Sequence, residues 1–115
     1  MKDLEAIRQQ VAQFAKERDW EQFHSPKNLA MALSVEASEL LEHFQWLSEA
    51  QSHELDEATR ANVAEEIADV QVYLVRIADT LGVDILSAVA AKMEKNGLQY
   101  PADKVRGSAK KYNAY

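Results

Sequence analysis

The chain has no cysteine, and only three glycines and two prolines among its 115 residues. Without cysteine there is no disulfide, no thiolate nucleophile and no zinc–thiolate site. So few glycines and prolines leave few points at which a regular element must stop. Strand-like alternation is scarce too, while Ala, Leu, Glu, Gln and Lys dominate. Both features predict an all-α domain. No segment approaches the roughly 18 consecutive apolar residues of a membrane span. The opening MKDLEAIRQQ has no apolar run of the kind a signal peptide needs. The expectation is a cytoplasmic protein with no membrane partner. Positive charge is also short, with 13 Lys and Arg against 19 Asp and Glu and a formal net charge of -6. That argues against a nucleic acid polymer as partner, because such binding depends on Lys and Arg neutralising phosphates. A small phosphorylated ligand is still allowed, since a bound cation reverses the local field.

Hydrophobic residues make up 47% of the chain and charged residues 28%, as in an ordinary globular protein. The length suits one domain, residues 1–115. Leu4, Ile7, Val11 and Phe14 recur at helical steps and predict a first amphipathic helix over about residues 2–18. Ser25-Pro26 reads as an N-cap and first helical position. It opens a second helix over about 26–46, with Leu29, Leu33, Leu40 and Phe44 inward. The polar run LSEAQSHELDEAT reads as a loop or ragged turn. A third helix over about 56–81 carries Val63, Ile67, Val70, Leu74 and Ile77 inward and stops at Gly82. Asp84 caps a fourth over about 84–96, with Ile85, Val89 and Met93 inward and Gly97 as its end. A basic, aromatic-dotted tail spans 101–115. Four helices with wide apolar faces and two tryptophans leave little surface to close a monomeric core, so an oligomer is expected.

The segment SVEASELLEHFQW (34–46) holds an electrostatic conflict. Glu36 and Glu39 lie three apart on one side of the second helix, about 5–6 Å apart at Cβ. The third helix repeats the device in EEIADV, with Glu66 and Asp69 flanked by Ile67 and Val70. Unpaired acids beside apolar residues are expensive to bury. Two such pairs facing each other across antiparallel helices need a hard cation. Four oxygen ligands without His or Cys indicate Mg²⁺ or Mn²⁺ rather than zinc or iron. A ferritin-like di-iron bundle would need Glu-x-x-His on two helices. Glu21-x-x-His24 is the sole instance, and it falls in the connector before Pro26. The competing reading is a solvated acidic face, which suits Glu5, Glu17, Glu42, Glu49, Glu54, Glu57 and Glu65. Under it the chain is a helical interaction module without catalysis, its acids solvated or holding a structural metal.

Three separated stretches occur in order: ERDWEQFHSPKNLAMALSVEASELLEHFQW, then EEIADVQVYLVRIA, then KMEKNGLQYP. Together they resemble the MazG-like all-α nucleoside triphosphate pyrophosphohydrolases over about residues 4–112. RDWEQFH, FQW and the KM..N...YP pattern look most like the dCTP pyrophosphatase branch. The resemblance implies a helical bundle, a homodimer or homotetramer, and Mg²⁺ as cofactor. It implies hydrolysis of (deoxy)nucleoside triphosphates, dCTP or modified dCTP among them, to the monophosphate and pyrophosphate. Such a reaction would clean the nucleotide pool. The family's four metal-binding acids fall on Glu36, Glu39, Glu66 and Asp69.

The same resemblance places Trp20 and Trp46 at aromatic positions of the base pocket, where an indole face stacks on any nucleobase. Tyr73, one helical turn beyond Asp69, is positioned to hydrogen-bond a phosphate. Lys92 and Asn96 match phosphate- and sugar-contacting positions. Lys110, Lys111 and Tyr112 match a basic element that reaches a neighbouring subunit's phosphates. Two departures touch recognition rather than metal chemistry. Val11 stands where vertebrate members carry a pocket histidine, and NGLQYP lacks the arginines those relatives place before Tyr-Pro.

Overall fold

The computed structural model describes residues 1–109. Among them every regular element is helical: α1 (Leu4–Glu17), a 3-10 turn (Glu21–Phe23), α2 (Pro26–Glu42), α3 (Glu49–Ser52), α4 (Glu57–Leu81), α5 (Ile85–Gln99) and α6 (Ala102–Val105). The all-α expectation holds. The expected count of four does not, because two single-turn helices are added to the four long ones.

The polar run read as a loop contains α3. Ser48 opens it with a reciprocal capping box, in which Ser48 Oγ accepts from the Gln51 N–H and the Gln51 side chain accepts from the Ser48 N–H. That cap also explains why α2 stops at Glu42 instead of reaching Trp46. The chain tightens through Phe44 N–H to Leu41 O and Leu47 N–H to Phe44 O, and must be extended at Ser48. The second added helix, α6, forms inside the segment read as tail. Gly97 does not end α5, which runs to Gln99. The stop is Tyr100, which leaves the helical region (φ -126°, ψ 68°), as the following Pro101 disfavours helical backbone before it.

Other boundaries fall where expected. Asp3, Ser25, Asp56 and Asp84 each accept from the backbone N–H three residues on, capping α1, α2, α4 and α5. Gly82 ends α4 in the left-handed region (φ 67°) with its N–H directed to Ala78 and Asp79 carbonyls. Asp19 (φ 55°) makes the corresponding turn after α1, a conformation Asp tolerates better than most residues.

Two compact units divide at Gly82, one spanning Met1–Gly82 and the other starting at Val83. In the first, α4 packs along α2 and against α1. Its core is Ala15, Leu29, Val63, Val75 and Ala78, and the guanidinium-bearing Arg76 is buried with them. This core is narrower than the periodicity suggested. Phe14, Ile67 and Leu74 of the first unit are exposed, as are Val89 and Met93 on α5. The apolar faces are wider than the area α1, α2 and α4 cover on one another. Within α5 and α6 the described backbone is closed by its caps, with the Tyr100 N–H on the Asn96 carbonyl.

Leu29 is 1% exposed and is the largest fully buried side chain. Leu29→Ala is expected to destabilise the fold by about 2–5 kcal/mol, the usual range for emptying a core leucine site. Urea denaturation measures it. A loss under about 1 kcal/mol would mean that α2 is not held to α4 through this residue.

Candidate active site

Where α2 meets α4, one carboxylate oxygen each from Glu36, Glu39 and Glu66 lies within 4.8 Å of the others. All three are half-buried. The i,i+3 step puts Glu36 and Glu39 on one side of α2, and the packing of α2 on α4 brings Glu66 to them. Glu36 Oε2 and Glu66 Oε2 are fully buried and accept no hydrogen bond from any described residue. Buried acceptors without a partner are rare in folded proteins and mark a missing ligand or a strained site. The donor set is all oxygen, which suits a hard divalent cation.

Asp69, one helical turn beyond Glu66, stands outside this close trio and is exposed. It is still within electrostatic range, since its charge raises the pKa of both Glu36 and Glu66. Burial is the main cause for both groups and Glu39 alongside is the next. His43 acts the other way on Glu66, with Nε2 3.7 Å from Glu66 Oε1. The sequence reading did not single out His43. Its only signal was a titratable side chain one position after Glu42 at the end of α2.

A cavity of about 170 Å³ adjoins the acids. Glu36 and Asp69 form part of its wall, and Trp20, Tyr73, His24 and Arg76 form much of the rest, with Val11, Phe14 and Val72 as apolar lining. Trp20 packs edge-on against Phe14, centroids 5.7 Å apart at 68°, while the Arg18 guanidinium lies 3.5 Å from the Phe14 ring centroid. The edge contact with Phe14 leaves the Trp20 side chain 45% exposed. Val11, Phe14 and Val72 also line a larger apolar cavity of about 380 Å³ between α1 and α4.

The remaining expected site residues are distributed differently. Trp46 is 87% exposed, beyond the end of α2, and lines neither cavity. Lys92 is exposed and Asn96 half-buried on α5, in the second unit. Lys110, Lys111 and Tyr112 lie outside the described residues. Two further cavity residues, His24 and Arg76, were not foreseen in a site. An arginine inside the apolar run YLVRIA was the available signal, because a charge in a core stripe needs partners.

Charge clustering has a consequence for stability. A carboxyl whose pKa is raised above its ordinary 4.5 holds its proton more tightly in the folded chain than in the unfolded one. The stability it contributes is fully present below the unfolded pKa and is lost as pH rises through the folded pKa. In chelator, Glu66→Gln is therefore expected to melt no lower than the parent at neutral pH. The gap between them should close as pH falls toward 4.5. Taking the difference between the two proteins cancels groups of opposite sign, such as Glu5, which Arg8 holds down at about 2. Thermal melts across this range test it. A variant that melts lower at neutral pH would mean that Glu66 is held by favourable contacts.

The MazG-like family model matches residues 31–114. The chain is 49% identical over 111 residues to dCTP pyrophosphatase 1 of Rattus norvegicus and 46% identical over the same length to that of Homo sapiens. Each alignment covers 95% of this chain, and the chain spans 65% of the length of these relatives. A solved pyrophosphatase from Archaeoglobus fulgidus superimposes with a TM-score of 0.80 at 42% identity, covering 84% of this chain and 91% of that one. An all-helical chain with its paired acids on α2 and α4, matched over this span, belongs to the MazG-like family.

Proposed function

We propose that this protein is a nucleoside triphosphate pyrophosphohydrolase, cutting between the α and β phosphates to release the monophosphate and pyrophosphate. The observation that carries this reading is the meeting of Glu36, Glu39 and Glu66 with two buried carboxylate oxygens unpartnered among the described residues. The names of the similar proteins, dCTP pyrophosphatase 1 and pyrophosphatase, support it. The preferred substrate is dCTP or a modified dCTP, and the reaction removes it from the nucleotide pool. Residues 1–115 act as one MazG-like domain.

Glu36, Glu39, Glu66 and Asp69 would hold Mg²⁺, with Mn²⁺ as a substitute. When bound, such a cation polarises a phosphoryl oxygen and acidifies a coordinated water. The chain's own residues supply the rest. Without a cation, burial and mutual repulsion raise the proton affinity of Glu36 and Glu66, and a bound cation would hold them as carboxylates. Trp20 offers an aromatic face in the cavity beside them. Tyr73 lines the same cavity, and we assign it to a phosphate oxygen. We assign Lys92, Asn96, Lys110, Lys111 and Tyr112 to phosphate and sugar contacts, and Trp46 to the base, in a site completed by a second subunit. The assembly is a homodimer or homotetramer. Support for it comes from the exposed Met31, Val35 and Leu41 of α2, Ile67 and Leu74 of α4, and Trp46. Apolar exposure on that scale marks an interaction surface.

Incubation with a panel of nucleoside triphosphates, in Mg²⁺ and in chelator, tests the reaction. Pyrophosphate and monophosphate are expected with Mg²⁺ and neither in chelator. A diphosphate as first product would overturn the proposal. Trp20→Ala is expected to raise KM by the equivalent of about 1–3 kcal/mol while changing kcat little, because stacking acts alike on ground and transition states. An unchanged KM with a collapsed kcat would assign Trp20 to positioning. Sedimentation is expected to find dimers or tetramers at micromolar concentration, and a stable active monomer would remove the shared-site assignment.

A further inference from the structure

Glu66 presents its two carboxylate oxygens to different surroundings. Oε1 lies 3.7 Å from His43 Nε2, whereas Oε2 is fully buried and has no hydrogen-bond partner among the described residues. His43 is the C-cap residue of α2, and its backbone N–H is tied to the Leu40 and Leu41 carbonyls. It stands one helical turn beyond Glu39, so the ring leaves α2 on the side that carries the acids. Its side chain is 25% exposed, against 18% for that of Glu66. The close cluster of ligand atoms comprises Glu36, Glu39 and Glu66. His43 therefore stands beside Glu66 and outside the cluster. It also lines a separate cavity of about 450 Å³ with Leu47, Gln51 and Thr59, which gives the ring room to adjust.

A carboxylate that serves a cation through one oxygen is steadied by a donor on the other, and such partners tune the site although they never touch the ion. His43 is the donor that faces Glu66. Burial, Glu39 and Asp69 raise the Glu66 pKa, while His43 acts to lower it, as a donor to that carboxylate does. The gap is about 0.5 Å beyond hydrogen-bond range. Contacts of this kind are commonly long in sites without substrate and shorten on loading. Both the neutral Nε2–H tautomer and the imidazolium carry a proton on this nitrogen. The donation thus needs no change in the charge of the ring.

We infer that His43 is a positioning residue for the cation site: its Nε2–H holds Glu66 by Oε1 and leaves Oε2 to face a divalent ion. Without that donor the Glu66 carboxylate is free to turn, and affinity for the ion falls although every ligand oxygen remains. The inference rests on the metal-dependent pyrophosphohydrolase reading given above. It adds a residue that acts through Glu66 and is not itself a ligand.

Mn²⁺ alone, without nucleotide, is the probe, and its binding is followed by the electron paramagnetic resonance of the free ion. His43→Leu is expected to raise the Mn²⁺ Kd about 10–100-fold, the usual effect of deleting a hydrogen-bond partner of a metal ligand. His43→Gln, which keeps a side-chain N–H at similar reach, should recover most of that loss. Spin-echo spectra of Mn²⁺ bound to the parent are expected to show no directly coordinated nitrogen. Thermal melts in chelator establish that each variant is folded. The inference is overturned if the parent shows coordinated nitrogen, if His43→Leu binds Mn²⁺ as the parent does, or if His43→Gln binds as weakly as His43→Leu. The pyrophosphohydrolase reading survives each of these results. A parent that binds no Mn²⁺ without nucleotide also overturns the inference, and only a failure to cleave any triphosphate in Mn²⁺ or Mg²⁺ removes the reading beneath it.

Discussion

Three carboxylates placed within 4.8 Å of one another repel, and the contact between α2 and α4 forces them to stay there. The opposing force is apolar: Leu29 on α2 and Val63 and Val75 on α4 are buried. Burial of such side chains is worth roughly 1.5–3 kcal/mol each, enough to hold two helices together against a local repulsion. The acids gain nothing from this arrangement by themselves. Their pKa values are pushed up, and two of their oxygens have no described partner. The fold thus stores an electrostatic deficit at one place, and a cation that binds only the folded state would relieve it and stabilise that state by an amount that grows with the logarithm of its concentration above Kd.

A second electrostatic cluster in the same unit follows the opposite rule. Glu5, Arg8, Asp79 and Arg76 alternate in sign across α1 and α4 and compensate one another. This network has no charge to spare for a ligand. It ends on His24, whose Nδ1 accepts from Arg76 Nε. One cavity therefore carries both outcomes, with uncompensated acids at Glu36 and Asp69 and the compensated Arg76 beside His24. A ligand that satisfies both has a part held through a cation and a part that is flat and neutral. A nucleotide has those two parts covalently joined.

The long helices were legible because periodicity and caps are local. Asp3, Ser25, Asp56 and Asp84 cap within three residues of themselves, and Gly82 adopts the left-handed turn its position required. The two single-turn helices were not legible, since neither is long enough to display a period. The end of α2 depended on the Ser48–Gln51 capping box, and the end of α5 on Pro101 rather than Gly97. The acids were legible from spacing, since i,i+3 placement fixes the helix face whatever the tertiary structure. Which face would be buried was less so. Ile67 and Leu74 belong to the same apolar stripe as Val63, and only packing decides which part of a stripe is covered. His43 and Arg76 escaped attention, and His24 was weighed only as half of an iron motif, because their roles arise between elements. His24 and Arg76 are 52 residues apart in the chain, and no local pattern joins them.

The sign of the unmet charge favours a cation over a basic side chain as the partner of the acids. Arg76 lines the same cavity as Glu36 and Asp69, yet its Nε and Nη1 are directed to His24 and Asp79, and it makes no ion pair with either acid. His43 approaches Glu66 only at 3.7 Å, beyond good hydrogen-bond range. A lysine in that position would have cancelled one acid permanently and offered no open coordination positions to a phosphate. A dissociable divalent ion cancels two charges, and its remaining coordination positions stay open to phosphate oxygens. In a chain with a formal net charge of -6, the proposed reaction requires such an ion for a triphosphate to approach. Under that proposal the acids would determine recognition as well as chemistry, admitting the anion as a complex with the cation that the carboxylates would hold.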